Sequence, residues 1–437
     1  MERLSLLILV LLVWAFIQLM GKILPEVPAL VIVMAFMMTH ALLLTAALSH
    51  KRRKAKKVEK PLNPNYTPKV SVVVPAHNEA TVIADTVRHL MKLDYPDMEL
   101  WIMDDRSTDG TAEILQQLKQ HYPTGYNFHV RSNDSFPGKS AVLNDALALT
   151  TGDIICVFDA DARVDKDFLR QIVPYLEEDV VGAVQARKII SNADENILTR
   201  CQNYEYSMDS YFQMGRDAIR SAVQLRGNGQ LVKLKALETT HGWNEFTLTD
   251  DLDLSTKLHL RGWDIRFASK VHVREEGVTR FKPLLKQRRR WAEGSLVRYL
   301  EHAGQIIASN RVSLRAHVDM IAFFAEFLFP LMMLTEYLLL GWDTLTGDLQ
   351  RTRLFISLLM LPVLSGAFSV NLVIALLKLQ KMKWYQAVAN AAMTGAYMAV
   401  VWIPIVFWVF VKVLFQKQRS MNWGKTEHYG ETVQSQA

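Results

Sequence analysis

Long apolar runs flank a charged middle region. From Leu4 to Met20 the chain is almost continuously apolar, and after the break GKILPE a second run extends from Val27 to Leu48. Each has about the ~20 residues a helix needs to cross a bilayer. The first lacks a small-residue cleavage site and the second follows at once, so a retained helical hairpin is expected rather than a cleaved signal peptide. Beyond Arg311 come three more apolar runs, at about 321–340, 354–377 and 387–414, the first interrupted by Glu326, Pro330 and Glu336. Three full crossings from a cytoplasmic domain would leave the basic QKQRS segment outside. Either one run is re-entrant or interfacial, or the orientation rule fails at this end.

Between the apolar runs the period changes. KVSVVVPAHNE, MELWIMDDRSTDGT and GDIICVFDADA each begin as a buried strand and end in a polar loop, with helical stretches between them. That alternation predicts a doubly wound α/β sheet. Ligands bind such sheets beyond the carboxyl ends of the strands, where these polar loops fall. The expected organisation is an N-terminal transmembrane hairpin (1–50), a basic linker (51–68), a catalytic domain (69–310), C-terminal transmembrane or interfacial helices (311–416) and a polar tail (417–437).

Charge refines this picture. The net charge is +6, and the segment KRRKAKK, Lys51 to Lys57, holds six Lys or Arg, leaving the rest of the chain neutral. A basic face for nucleic acid is therefore not expected. Placed directly after an apolar span, the same run predicts that the catalytic domain is cytoplasmic. The only cysteines, Cys156 and Cys201, have neither metal-type spacing nor a disulfide framework, which fits a reducing compartment.

Several acidic groups sit where chemistry would be. Asp159 and Asp161 in DAD follow the apolar run IICVF, and two hard oxygen donors at that spacing suit Mg²⁺ or Mn²⁺ that keeps waters and shares nucleotide phosphates. Such a pair is also common as a solvated turn. Asp250, Asp251 and Asp253 in TLTDDLDLS read either as helix-start carboxylates or, for one held in a cleft, as a general base. Asp104 and Asp105, with the PAHNE loop at Pro75 to Glu79, end two strands that could line a base-and-ribose pocket. Lys139 in PGKS lacks the upstream glycine of a phosphate loop, so that reading fails. In QRRRWAEG, Gln287 to Gly294, the arginines are either solvated charges or a clamp for phosphate.

The order of these motifs resembles that of membrane-integrated, inverting family 2 glycosyltransferases. The shared motifs are Asp-x-Asp, Thr-(Glu/Asp)-Asp and Gln-x-x-Arg-Trp, found also in cellulose, hyaluronan and poly-N-acetylglucosamine synthases, and the likeness covers about Val70 to Leu300. It implies a GT-A (Rossmann-like) α/β domain that binds a nucleotide sugar and is flanked by transmembrane helices. By the same resemblance, Ala76, His77 and Glu79 would contact uridine together with Asp104 or Asp105. Lys139 would lie near the nucleotide, and Asp159 and Asp161 would hold the diphosphate and its Mg²⁺ (or Mn²⁺). Asp251 would be the base, with Asp250 beside it. Gln287, Arg290 and Trp291 would form the remaining wall, Arg290 clamping phosphate and Trp291 meeting the acceptor. Arg288 and Arg289 read either as ordinary solvated or headgroup-facing charges or as part of the site. The chain departs from the commonest pattern at His77, where many relatives have tyrosine, and at Asp250, where many have glutamate.

Two acceptor classes follow. YEYSMDSYFQ, LRGNGQLV, GWNEFTLTDDLDLS, REEGVTR and QRRRWAEGS together resemble the β-monoglucosyldiacylglycerol synthases of photosynthetic bacteria. That resemblance implies a UDP-sugar donor, UDP-glucose, and a membrane lipid acceptor, diacylglycerol. The alternative is a processive β-polysaccharide synthase extending a growing chain. Both place the protein in the bilayer, without nucleic acid.

Overall fold

A computed structural model describes residues 2–23, 29–58, 62–347 and 369–415. The tail 417–437 and residues 354–368 of the second C-terminal run lie outside the described residues. The chain divides into two compact units. One is drawn from Val58–Tyr206 and Val223–Gln287, the other from Met1–Lys57, Ser207–Ala222 and Arg288–Arg419.

The first unit is built on an eight-stranded sheet in the order β3-β2-β1-β4-β7-β6-β8-β5. The strands are β1 (Val70–Ala76), β2 (Met98–Asp104), β3 (Asn127–Val130), β4 (Ile154–Val157), β5 (Arg163–Val164), β6 (Val181–Ile190), β7 (Gln230–Lys233) and β8 (Asp264–Glu275). Every residue of β1 is buried, as its unbroken apolar run requires of a strand covered on both faces. Parallel pairing sets Ala76 opposite Asp104 and Val73 opposite both Trp101 and Val157. The polar loops leaving β1, β2 and β4 therefore open at one end of the sheet. β7 runs antiparallel to β4 with Gln230 opposite Val157, so the loop entering β7 reaches that same end. β6 is antiparallel to β7 and parallel to β8, where Lys188 faces Val273 and Ile190 faces Glu275. The sequence pattern reveals β1, β2 and β4; the reversal at β7 that makes the sheet mixed leaves no mark in hydrophobic periodicity.

Helices α3 (Ile83–Leu90), α4 (Thr111–His121), α5 (Lys139–Leu147), α6 (Phe168–Ile172), α8 (Leu234–Thr240) and α9 (Asp250–Leu260) belong to the same unit. The strands' apolar side chains pack with Ile83, Val87, Leu90, Leu115 and Phe168 in one core.

The second unit is helical, containing α1 (Glu2–Ile23), α2 (Ala29–Val58), α11 (Leu314–Thr346), the apolar α12 (Ser369–Leu379) and α13 (Trp384–Phe415). The later part of α7 (Ile197–Ala218) and of α10 (Phe281–Ala308) belongs to it as well. Among the described residues one helix, α13, is long and apolar enough to cross a membrane; Leu6–Met20, Val31–Thr45 and Ser369–Leu379 are shorter apolar stretches. Within this unit Asp319 of α11 is buried and accepts from Arg216 Nε at 2.9 Å, Ser221 Oγ at 3.0 Å and the Ala222 amide at 3.1 Å. His40 Nε2 lies 3.2 Å away. One carboxylate thus ties α2, α11 and the end of α7 together, and a buried charge is tolerable only with such partners.

The arginine run meets a different environment from the one expected. Arg288 is 0% exposed, its guanidinium 4.2 Å from the Trp291 ring centre and 5.8 Å from that of Trp402 on α13. The solvated or headgroup-facing alternative fails for Arg288: a planar, weakly hydrated guanidinium stacks on aromatic faces where an ammonium would not. Arg289 is exposed yet lies 4.8 Å over Trp408, and one turn on, Glu293 pairs with Lys412 at 2.6 Å.

Candidate active site

The site residues assembled here belong to the sheet unit. At the end of β1 the backbone turns at Asn78, whose φ is +57°, a conformation asparagine tolerates better than most residues. Its side-chain oxygen accepts from the Thr108 amide at 2.8 Å, its own amide donates to Ser107 Oγ, and the Glu79 amide donates to Thr111 Oγ1. His77 Nδ1 donates to the Asp105 carbonyl at 2.7 Å, leaving Nε2 to accept from Asn78. The loops after β1 and β2 are thereby fixed to each other. Ala76 is fully buried and its carbonyl accepts from the Asp105 amide.

Asp104 and Asp105 are both buried. The Asp104 carboxylate accepts from the Ser107 hydroxyl and amide. Burial is the main reason its pKa rises, with the Ser107 hydrogen bonds opposing. Asp105 is gripped by Arg131 at 2.6 Å and Arg106 at 2.8 Å. Arg131, itself buried, also binds Asp145 and the Phe136 carbonyl. Sequence reasoning missed Arg131: a lone arginine at a strand end carries no signal of its own until β3 brings it beside Asp105.

Three elements converge on the second cluster. Asp159 and Asp161 follow β4, Lys139 opens α5, and Asp250 and Asp251 open α9. Lys139 Nζ bonds Asp159 Oδ1 at 2.5 Å. Burial works against the Lys139 charge, but Asp159, Asp250 and Asp251 outweigh it and raise its pKa. Gly227, at φ +77°, passes so close that a Cβ built on it would lie 3.5 Å from Asp251 Oδ2 and 3.6 Å from Lys139 Nζ. This places Lys139 and Asp251 around one point. The helix-start placement holds, since Asp250, Asp251 and Asp253 all lie in the first turn of α9, but Thr249 is the N-cap residue and no side-chain N-cap bond is made. Asp251 Oδ1 accepts from the Leu252 amide, while Asp250 Oδ2 is buried without a hydrogen-bond partner.

Asp250 has its pKa pushed up to about 6, first by burial and then by Asp251 and Asp159, with Lys139 opposing. A raised carboxyl makes the folded state bind the extra proton, so stability falls as pH rises through about 6 and the cost disappears below the unfolded value near 4. Asp250→Asn should flatten this dependence, stabilising the ligand-free protein by about 1–2 kcal/mol at pH 7.5 and by nothing near pH 4. Urea melts at the two pH values measure it; equal gains at both would reject the assignment. At Gly227 the left-handed backbone costs an L-residue about 1–2 kcal/mol. Gly227→Ala should lower stability by that amount yet reduce turnover by about tenfold or more, because the new methyl fills space between Lys139 and Asp251. A rate loss no larger than the stability loss would argue against a reacting group there.

Asp159 and Asp161 suit a divalent ion. Among the described residues no group of three or more His, Cys, Asp or Glu could hold a metal. Two carboxylates would leave most of an ion's coordination to water and phosphate oxygens, as Mg²⁺ or Mn²⁺ bound with a nucleotide prefers. Asp161 Oδ2 accepts from the Glu276 amide at 3.0 Å and the Asp159 amide donates to Asn228 Oδ1 at 3.2 Å, so both are held from neighbouring strands.

Gln287 is the last residue of α10 in this unit; Arg290 and Trp291 belong to the helical one, where one face of Trp291 receives Arg288.

The family model described as "Glycosyltransferase like family 2" matches residues 68–294. A β-monoglucosyldiacylglycerol synthase of Nostoc sp. is 46% identical over 274 residues, 62% of this chain and 56% of that protein. One from Synechocystis sp. is 39% identical over 375 residues, 84% of this chain and 76% of the relative. The match thus spans little more than half the length of the Nostoc relative. A solved mannosyltransferase from Pyrobaculum calidifontis, in complex with GDP-Man and Mn²⁺, has a TM-score of 0.55 at 21% identity, covering 89% of this chain and 99% of its own. The fold is therefore GT-A, and the chain belongs to glycosyltransferase family 2.

Proposed function

We propose that the protein moves glucose from UDP-glucose to diacylglycerol at a membrane, with inversion, giving a β-glucolipid. The observation that carries the chemistry is the convergence of Lys139, Asp159 and Asp251 about Gly227 at the carboxyl end of the sheet. The lipid acceptor is supported by the names of the relatives and by the apolar α13; the apolar runs support an integral membrane protein, and the basic run Lys51 to Lys57 after the second of them supports a cytoplasmic sheet unit.

In this reading Asp251 takes the proton from the acceptor hydroxyl. The oxygen attacks the anomeric carbon from the face opposite UDP, the carbon–phosphate-oxygen bond breaks, and UDP leaves with the electron pair. An α-linked donor becomes a β-linked product. A divalent ion, Mg²⁺ or Mn²⁺, at Asp159 and Asp161 would offset charge on the departing diphosphate. Lys139 adds a fixed positive charge beside Asp159, and Arg290 is the guanidinium that the family motif assigns to the phosphates. Ala76, His77 and Glu79, on the loop braced by Asp104 and Asp105, are assigned to uridine, Gln287 to the donor and Trp291 to the acceptor.

The test is to incubate purified protein with radiolabelled UDP-glucose, Mg²⁺ and diacylglycerol in detergent, then separate the lipid extract from polymer. Label in a single glucolipid supports the proposal. Label in a glycosidase-sensitive, high-molecular-weight fraction would replace it with a polysaccharide synthase. Retention of label only with another UDP-hexose would change the sugar and leave the acceptor.

A further inference from the structure

A second polar network lies at the same end of the sheet, and none of its members carries a role in the reaction described above. Glu275, the last residue of β8, accepts from Lys188 Nζ at 2.9 Å, from Tyr206 OH at 2.7 Å and from Asn228 Nδ2 at 3.2 Å. Lys188 also sits over the Tyr206 ring, 5.2 Å from its centre. The side chains of Lys188 and Glu275 are 15% and 12% exposed, so neither charge is held by solvent alone. With three donors on one carboxylate, Glu275 has little capacity left for a ligand of its own.

Two of the network's outward connections lead to the acidic pair after β4, while others tie it to the Gln185 side chain and the Arg226 carbonyl. Asn228, which donates to Glu275 through its amide nitrogen, uses its oxygen to accept from the Asp159 backbone amide. One residue beyond Glu275, the Glu276 amide donates to Asp161 Oδ2. The end of β8 therefore reaches Asp159 through one intermediary and Asp161 directly. Gly229 maintains the approach: at φ +72° it lets the backbone pass where a Cβ would lie 2.8 Å from Val273 Cγ1. The Lys188 ammonium is also within electrostatic reach of Asp159 and Asp251.

We propose that Glu275, clamped by Lys188, Tyr206 and Asn228, is a positioning residue that sets the geometry of Asp159 and Asp161 for metal-assisted binding of the donor diphosphate. This rests on the reading of those two carboxylates as the donor's metal and phosphate site. Groups that orient metal ligands through hydrogen bonds cost about 10–100-fold in metal affinity when removed. Asn228 is pinned between Glu275 and the Asp159 amide, so freeing it at Glu275 loosens the loop that presents both carboxylates.

The experiment is UDP titration by calorimetry, with Mn²⁺ and with chelator, on the parent protein, Glu275→Gln, Asp159→Asn and the double variant. Tyr206→Phe, which removes one donor and keeps the ring, serves as the milder change. Glu275→Gln is expected to weaken UDP binding about tenfold with Mn²⁺ and to leave binding in chelator unchanged. In the Asp159→Asn background the same substitution should add little, because the two act through one site. Tyr206→Phe should give a smaller loss with the same metal dependence. Equal losses with and without Mn²⁺, or full additivity with Asp159→Asn, would make Glu275 a general structural residue and overturn the proposal. If Asp159→Asn itself leaves Mn²⁺-dependent binding intact, the donor-site reading falls first; if it abolishes that dependence while Glu275→Gln does not alter it, only the positioning role falls.

Discussion

Asp251→Asn should lower glucosyl transfer by about 10³–10⁴-fold, roughly 4–5.5 kcal/mol of transition-state stabilisation, while UDP affinity stays within about threefold. The amide keeps the shape of the carboxylate, and the Leu252 amide can still donate to its oxygen. What is lost is the ability to take the acceptor proton. Both carboxylates are half-buried, but Asp251 lies beside Gly227 with one oxygen held by the Leu252 amide, whereas Asp250 turns one oxygen into a buried position without a hydrogen-bond partner. The two adjacent carboxylates therefore differ in their surroundings, and only Asp251 is assigned the proton. Steady-state rates with the lipid acceptor, paired with UDP calorimetry, separate the possibilities. Near-normal turnover would remove Asp251 from the mechanism, and a parallel loss of UDP binding would make it a donor-site residue instead.

Arg288→Met should destabilise the helical unit by about 2–4 kcal/mol, whereas Arg289→Met should cost less than about 1 kcal/mol. Arg288 is wholly buried against Trp291 and Trp402, so truncation to methionine removes two desolvated cation–π contacts and leaves a poorly filled slot. Arg289 is exposed, and water competes with the Trp408 ring for its charge. Thermal unfolding in detergent, followed by tryptophan emission, measures the difference. Similar melting of both variants would mean that the stacking on Trp402 contributes little to holding α10 against α13.

Much of this protein was legible along the chain. The valine-rich run of β1, the apolar stretches before Asp104 and Asp159 and the turn residues between them specify strands that end in polar loops, because a strand buried on both faces must be apolar along its length. The DAD, TDD and QRRRW strings, taken in order, carried the family resemblance. The sequence did not distinguish a capping role from a site role for Asp250 and Asp251. That depended on Gly227 arriving from a loop more than twenty residues away and on Lys139 arriving from more than a hundred.

The alternation of apolar and polar segments, the parallel half of the sheet and the residue types available for chemistry can be read along the chain, since they depend on local period and side-chain identity. Which charges became partners was settled by packing. Arg131 on Asp105, Lys139 on Asp159, Lys188 on Glu275 and Arg288 between two tryptophans all join residues distant or unmarked in the sequence. A charge looks the same in a sequence whether solvated or buried; burial, and the partner it then requires, come from packing.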